Sequence, residues 1–249
     1  AAGAIAPADA DALASLGADR ARIAVLGDPR FDSAVAKARA IPADWPWSRL
    51  VAGAPTLVAG STWEADHQIL LAAWPAVRAR HPEARLILVP HEPTTDHLTA
   101  LDATIRVGRS TARRLSQLAE HEAVPELLVV DRVGILAGLY RGAAIAFVGG
   151  GFGKSGLHSV LEPAACGIPV LTGPVWQSSR EAGLLFAAGA GEPLPKSPAD
   201  AVARLTAIWS EWLSDEKTRA RAGTAARAVV EAELGAAERN AALVERLMA

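Results

Sequence analysis

The sequence predicts an α/β protein built on a Rossmann-like, doubly wound parallel sheet with further helices towards the C-terminus. Two observations lead to this prediction. Short apolar runs such as RLILVP and ELLVVD have the length of strands that are buried on both faces. Segments of helical composition separate these runs, and such alternation is typical of a parallel sheet covered by helices. Apolar residues make up 51% of the chain, which is ample for a buried core.

The predicted elements follow one another from Thr56 to the end of the chain. Apolar runs predict strands at Thr56–Gly60, Arg85–Pro90, Glu126–Asp131, Ala143–Val148 and Ile168–Thr172, with a further candidate at Thr104–Val107. Helices are expected at Glu64–Arg80, Thr94–Asp102, Ser110–His121 and Ile135–Arg141, from near Leu157 and from Arg180. After Pro195 the composition predicts helices only, one starting at Ser197-Pro198 and two more separated near Gly235.

The first 55 residues have a different character. They predict a short helix at Asp9–Leu16, a strand at Ala21–Leu26 and a turn over 27–32. Three prolines, at positions 42, 46 and 55, then mark a linker. Because the chain begins with Ala1 and not with methionine, we expect it to be processed or a fragment.

Composition excludes several classes of function. The net charge of −2 provides no global basic field for nucleic acid. The single cysteine, Cys166, excludes a disulfide framework and fits a reducing compartment. No apolar run approaches the eighteen residues of a membrane span, so we expect this part of the protein to be soluble. Four histidines lack partners at metal-ligand spacing and are interpreted as surface or capping residues: His67, His81, His97 and His121.

A glycine-rich loop directly follows the predicted strand that ends at Val148. Its glycines are Gly149, Gly150, Gly151, Gly153 and Gly156. Glycines let the backbone approach a ligand closely, and a helix starting after them would aim its positive end at the loop. Ligands of parallel sheets bind at this edge, where the strands end. The loop therefore predicts an anion site, most often for phosphate, and so a phosphorylated or nucleotide-linked ligand.

Two short motifs compete for this loop. A P-loop would require glycine where the chain has Val148, so the pattern ending in Gly153-Lys154-Ser155 is displaced by one residue. The dinucleotide fingerprint is satisfied by Gly151, Gly153 and Gly156, but no acidic residue ends the next strand to bind a ribose hydroxyl.

A longer pattern resembles the donor-domain signature of the 3-deoxy-D-manno-octulosonate (Kdo) transferases, which are GT-B glycosyltransferases. The matching residues are GGGFGK at 149–154, Gly156, His158, LEPA at 161–164, GIPV at 167–170 and Gly173-Pro174. Enzymes of this family move Kdo from CMP-Kdo onto a lipid A precursor in lipopolysaccharide synthesis. Ser159 stands where the family commonly has asparagine, and its hydroxyl offers one donor where the amide offers two.

The resemblance implies a division of the chain into two parts. Residues 1–55 resemble the tail of an N-terminal acceptor domain with its linker, and residues 56–249 a nucleotide-sugar donor-binding domain. The catalytic base, a carboxylate, and the membrane contact are expected on the missing N-terminal domain, at the cytoplasmic face of the bacterial inner membrane. We therefore expect no catalytic residue in this chain, no turnover by it alone, and no cofactor or metal.

The resemblance also implies which residues bind the donor. Glu162 is expected to hold the ribose, while Lys154 and His91 face the phosphate, and Arg180-Glu181 resembles a step near the nucleotide base. The hydroxyls of the Ser61-Thr62 pair either contact the ligand or cap the helix that begins at Glu64. The full predicted donor-binding set is Ser61, Thr62, His91, Gly149, Gly150, Gly151, Gly153, Lys154, Gly156, His158, Ser159 and Glu162.

Two other functions remain open at this point. One is another GT-B enzyme that uses a UDP-sugar, either a transferase or a UDP-N-acetylglucosamine 2-epimerase. The other is a non-catalytic nucleotide-binding domain. A preference for CMP over UDP would separate the first of these from a Kdo transferase.

Overall fold

The computed structural model describes residues 1–108 and 110–248. Its strands are β1 (Ala2–Ala4), β2 (Ile23–Val25), β3 (Thr56–Thr62), β4 (Arg85–Pro90), β5 (Arg113–Arg114), β6 (Leu127–Val129), β7 (Ile145–Val148), β8 (Val170–Thr172) and β9 (Gly191–Pro193). Its helices are α1 (Pro7–Ser15), α2 (Pro29–Ala40), α3 (Glu64–Arg80), α4 (Thr95–Val107), α5 (Leu136–Arg141), α6 (Leu161–Ala165), α7 (Arg180–Ala187), α8 (Pro198–Ser214), α9 (Glu216–Ala232) and α10 (Ala236–Met248).

Strands β3 to β9 form one seven-stranded sheet in the order β5-β6-β4-β3-β7-β8-β9, and every pairing in it is parallel. The order grows in both directions from β3, as in doubly wound folds. The predicted fold class is thus confirmed. The reversal of strand order places β3 and β7 side by side, so the loops that follow them are neighbours at the carboxyl edge of the sheet.

Helices cover both faces of the sheet. On one face, α3 and α8 meet through Trp74 and Trp209, which are both buried and pack edge to face with ring centroids 6.5 Å apart. On the other face, Leu50 and Tyr140 are part of a second apolar cluster with β4, β6 and α5. A third cluster joins α2, α6, α7 and α9 through buried residues such as Phe31.

Two elements predicted after residue 56, one helix and one strand, differ in the structure. The Ser110–His121 segment contains β5 and a single 3-10 turn, because Asp131 accepts hydrogen bonds from both the N–H and the hydroxyl of Ser116 and draws the segment against β6. The strand candidate at Thr104–Val107 is wrong, since it continues α4 to Val107. Thr104 donates its hydroxyl to the Ala100 carbonyl, which satisfies this β-branched residue within the helix.

The helix predicted from near Leu157 begins only at Leu161 and has five residues. Instead of opening a helix, the His158 N–H donates to the Gly149 carbonyl at 3.1 Å and closes the glycine loop on itself. Gly156, with φ +80°, provides the reversal that this closure requires. The expected helix dipole behind the loop is therefore absent from the described structure.

The first 55 residues contain more regular structure than the sequence indicated. β1 and β2 form a separate parallel pair with α1 against it. The turn predicted over 27–32 is the start of α2, where Asp28 caps the Arg30 N–H and Pro29 occupies the first turn. The assignment of residues 1–55 to an N-terminal domain stays a prediction. Within the described ranges, no helix combines the length and apolar content needed to cross a membrane.

Candidate functional site

The glycine-rich loop is fastened to its neighbours by close backbone approaches. A Cβ on Gly149 would overlap the Ser61 carbonyl oxygen and lie 2.6 Å from the Thr62 Cα. A Cβ on Gly151 would lie 2.8 Å from the Cα and the nitrogen of Gly173. Since these neighbours are backbone atoms, no side chain can move aside to make room. Glycine at these two positions lets the loop pack against the end of β3 and the turn after β8.

Several amides of the loop are bonded within the protein. Gly149 donates to the Gly60 carbonyl at 2.9 Å, which extends the pairing of β7 with β3. Gly153 donates to the Gly150 carbonyl at 3.2 Å, so these N–H groups hold the loop in its turn. The side chains of two further residues of this region, Lys154 and Ser159, are exposed to solvent.

The side chain of Asp66 braces the glycine-rich loop by hydrogen bonds to the backbone. Its side chain is fully buried, and Oδ2 accepts the backbone N–H groups of both Gly150 and Trp63 at 2.9 Å. Its other oxygen, Oδ1, has no hydrogen-bond partner among the described residues. Burial raises the pKa of the Asp66 carboxyl, against the opposing effect of these two N–H groups. One carboxylate therefore ties the start of α3 to the glycine loop.

Four aromatic rings gather beside this brace. The Trp63 indole has its ring centroid 5.0 Å from that of His91, 5.7 Å from His97 and 6.4 Å from His158. His91 and His158 stack on each other at 4.1 Å. Trp63 also donates its indole N–H to Nε2 of His158 at 3.0 Å. The structure thus brings the predicted His91 and His158 together at the edge of the loop.

The predicted pair Ser61 and Thr62 separates in the structure. Ser61 adopts φ +52°, an uncommon conformation for a residue with a side chain, at the point where β3 leaves its regular register. Thr62 is buried, and its hydroxyl is hydrogen-bonded to Nε2 of His67 at 2.8 Å, which directs it into the interior. Burial lowers the pKa of His67 to about 4, so that ring is neutral at physiological pH. Neither hydroxyl caps α3, whose N-cap is Trp63.

Glu162 lies in the first turn of α6 with its side chain 27% exposed. Its Oε1 accepts a hydrogen bond from Nζ of Lys37 in α2 at 3.2 Å, and the lysine is 61% exposed. An ion pair this open to water contributes little free energy, so it does not keep Glu162 from another partner.

The Arg180-Glu181 step has structural partners instead. Glu181 is buried and accepts two hydrogen bonds from Arg30, while Arg180 forms a bidentate pair with Glu233. These contacts fasten α7 to α2 and to α9.

Three residues of this site were absent from the sequence prediction: Trp63, Asp66 and, as a ring in the cluster, His97. A signal for Asp66 was present, because an acid at the third position of a predicted helix is the acidic half of a capping box. The close approach of Gly150 to Asp66 is a tertiary contact that no local pattern encodes. No group of three or more metal-ligating side chains occurs among the residues described here.

The chain matches curated 3-deoxy-D-manno-octulosonic acid transferases. It is 35% identical over 144 residues to that of Chlamydophila psittaci, an alignment that covers 57% of this chain and 32% of the relative. It is 28% identical over 231 residues to that of Haemophilus influenzae, covering 91% of this chain and 52% of the relative.

The chain is a homologue of the Kdo transferases. It spans between a third and about half of the length of these relatives. No protein-family model matches it. The resemblance that the glycine loop and the following segment indicated is thus confirmed across most of the chain.

Solved structures show the same fold. The C-terminal CMP-Kdo binding domain of WaaA from Acinetobacter baumannii matches with a TM-score of 0.62 and 20% identity, covering 80% of this chain and 98% of that one. HepE from Anabaena, crystallised with UDP, matches with a TM-score of 0.59 and 16% identity over 99% of this chain and 63% of that one. The chain thus has the α/β fold of these GT-B glycosyltransferase domains.

Proposed function

We propose that this chain is the donor-binding part of a Kdo transferase and that it binds CMP-Kdo along the glycine-rich loop. The observation that carries the proposal is the convergence of that loop with the stacked pair of His91 and His158 at the carboxyl edge of the sheet. Homology to Kdo transferases supports a Kdo donor, and the likeness to the CMP-Kdo binding domain of WaaA supports CMP-Kdo as its form.

The donor's phosphate would lie against the loop. Lys154 at the exposed tip provides a cation, and the two imidazoles provide polar ring nitrogens beside it. The loop amides that are already paired inside the protein, those of Gly149, Gly150 and Gly153, shape this surface and do not supply free donors. The phosphate is therefore held chiefly by side chains in this proposal.

The ribose would be held by Glu162. Its carboxylate has acceptor capacity beyond the one hydrogen bond from Lys37, and a ribose hydroxyl is a donor of matching chemistry. The part-exposed carboxylate lies in α6, which begins after a short irregular segment that follows the glycine loop.

The proposed reaction breaks the bond between the anomeric carbon of Kdo and the phosphate oxygen of CMP. An acceptor hydroxyl forms the new bond to that carbon and gives its proton to a base, and CMP leaves as the anion. This chain would stabilise the departing phosphate through Lys154 and the ring nitrogens. The rest of the protein would provide the base, would bind the lipid A precursor that serves as acceptor, and would contact the inner membrane.

A UDP-sugar enzyme is the second candidate. The match to HepE, which was crystallised with UDP, covers 99% of this chain, so the same fold accommodates a different nucleotide. The nucleotide base decides between the two functions.

Calorimetric titration of the chain with CMP, UDP and ADP tests the proposal. We expect CMP to bind more tightly than UDP, and Glu162→Gln to lower the CMP affinity about tenfold through loss of a charge-assisted hydrogen bond. Glu216→Gln is the matched control, because that glutamate is 87% exposed on α9. Preference for UDP would transfer the assignment to the second candidate, and equal affinities of Glu162→Gln and the wild type would remove Glu162 from the site.

A further inference from the structure

The hydrogen bond between Trp63 and His158 fixes the chemical form of the histidine. The two ring nitrogens, Nε1 of Trp63 and Nε2 of His158, are 3.0 Å apart. An indole nitrogen is only a donor, so Nε2 of the imidazole must be the acceptor and must carry no proton. An imidazole with a bare Nε2 is neutral and carries its proton on Nδ1.

The surroundings of His158 favour this neutral form. Burial lowers the pKa of His158, and the neighbouring charge of His91 lowers it further. The groups packed against the ring are His91 from the loop after β4, Trp63 from the start of α3 and Gly150 from the glycine loop. The carboxylate of Asp66 binds the backbone of Trp63 and Gly150 and makes no hydrogen bond to the imidazole. Thus no described acid offers the ring a hydrogen-bonded counter-charge.

The second ring nitrogen is the one left for a ligand. Within the described part of the chain, Nδ1 of His158 has no hydrogen-bond partner, and the residue is only partly buried. Its N–H is therefore a donor that a phosphate or carboxylate oxygen can accept. Asp66 makes this arrangement rigid, because it holds both the Trp63 backbone and the glycine that the His158 ring lies against.

We infer that Trp63 is a positioning residue that holds His158 as a neutral Nδ1–H donor towards an anionic oxygen of the ligand. The role towards a ligand rests on the proposed function, whereas the form of the ring is a property of the free protein. One consequence is that the two residues act differently on the ligand. His158 donates one directed hydrogen bond to an anionic oxygen, whereas Lys154 provides the positive charge.

Long-range proton–nitrogen correlation spectra of the imidazoles test the form of the ring. The signals of His158 are assigned as those that disappear in His158→Gln. At neutral pH, the wild-type spectrum is expected to show the proton of this ring on Nδ1. In Trp63→Phe, which keeps a ring beside His91 but removes the N–H, we expect the tautomer ratio to move about two- to tenfold towards Nε2–H. The titration midpoint of His158 moves to higher pH, because a donor facing Nε2 opposes its protonation.

His97→Gln is the matched control, since His97 contacts the edge of Trp63 but is not bonded to His158. It is expected to leave the form of His158 unchanged. A wild-type ring that is protonated on Nε2 or charged at neutral pH overturns the inference, and so does a Trp63→Phe spectrum with the wild-type tautomer ratio. The wild-type measurement needs no variant, so a folding defect cannot mask the result.

Titration with CMP separates this inference from the proposed function. If CMP binds, Trp63→Phe is expected to weaken it several-fold, with a pH profile displaced towards higher pH. If CMP does not bind while the Nδ1–H form is observed, the proposed ligand is wrong and the assignment of the ring stands. If CMP binds wild type and Trp63→Phe equally well, the positioning role of Trp63 is wrong.

Discussion

Arg30 joins the segment before the sheet to the first turn of α7 by donating to both carboxylate oxygens of Glu181, at 2.9 and 3.1 Å. The same guanidinium bonds both oxygens of Asp28. Asp28 and Glu181 are 2% and 4% exposed, so one arginine satisfies two buried carboxylates from segments far apart in the chain. The pairing explains why α2 packs firmly beside the sheet.

Replacing Arg30 with methionine is expected to destabilise the protein by about 1 to 3 kcal/mol. The change leaves two buried carboxylates without their cation, and the estimate allows for the 56% exposure of the arginine side chain. Urea unfolding followed by circular dichroism measures the change. Arg20→Met is the control, because the exposed pair of Arg20 and Asp11 at 3.5 Å contributes about 0.5 kcal/mol or less. Equal effects of the two substitutions would contradict this account.

The same network predicts how stability depends on acid pH. Burial acts to raise the pKa of Asp28, but the hydrogen bonds and charge of Arg30 outweigh it and hold that pKa below its ordinary value of 3.8. The folded state then binds fewer protons than the unfolded state. Asp28 therefore adds stability above about pH 4, and this contribution is lost as the pH falls through the lowered pKa. We expect Arg30→Met to flatten the fall of the urea midpoint below pH 4, and an unchanged slope would argue against it.

Asp66 is expected to show the opposite pH dependence. Its pKa is raised by burial, so the folded state binds the extra proton, and stability from this group increases as the pH falls through the raised pKa. Asp66→Asn keeps an acceptor for the two N–H groups and is expected to remove this dependence at little cost. Asp66→Ala leaves both N–H groups unpaired and is expected to cost about 2 to 4 kcal/mol. The free energy of unfolding of the two variants is measured between pH 4 and 8. Similar losses of stability in both would contradict the role of Asp66 in holding the N–H groups of Gly150 and Trp63.

Alanine substitutions distinguish the docked and free glycines of the loop. Gly149→Ala forces a Cβ against the backbone of Ser61 and Thr62 and is expected to destabilise the protein by about 1 to 3 kcal/mol. Gly153→Ala is the control, because its nearest neighbours would be 3.9 Å away and its φ is not positive. Thermal unfolding is expected to show a lower Tm for the first variant only. A loss at Gly153 as large as at Gly149 would show that the loop tip is not free.

Cys166 is expected to react slowly with thiol reagents. Burial raises the pKa of the Cys166 thiol and outweighs the opposing charge of Arg227, so little thiolate exists near neutral pH. Since this is the chain's single cysteine, its labelling with iodoacetamide reports one site. We expect labelling to accelerate strongly in urea. Equal labelling rates in the native and the unfolded chain would contradict the burial of the Cys166 thiol.

The long, regular elements were predictable from sequence, and the site was predictable only in part. The bounds of α3 and β4 follow from their apolar periodicity and come out as predicted. α2 was missed because Asp28 and Pro29 occur equally in turns, and only the buried Phe31 and the contact of Arg30 with Glu181 show that they start a helix. The glycine loop and its two histidines could be singled out from the motif. The roles of Trp63 and Asp66 could not, because they depend on the meeting of two segments that lie more than eighty residues apart.

The contact of Gly151 with Gly173 has a consequence for how this sequence can change over evolutionary time. Both sides of the contact are bare backbone, with a Cβ on Gly151 2.8 Å from the Gly173 Cα. A larger residue on one side cannot be compensated by a smaller one on the other, since neither side has an atom left to remove. Among descendants that retain this loop, the two positions are expected to remain glycine together, and where one is lost the other is released from constraint as well.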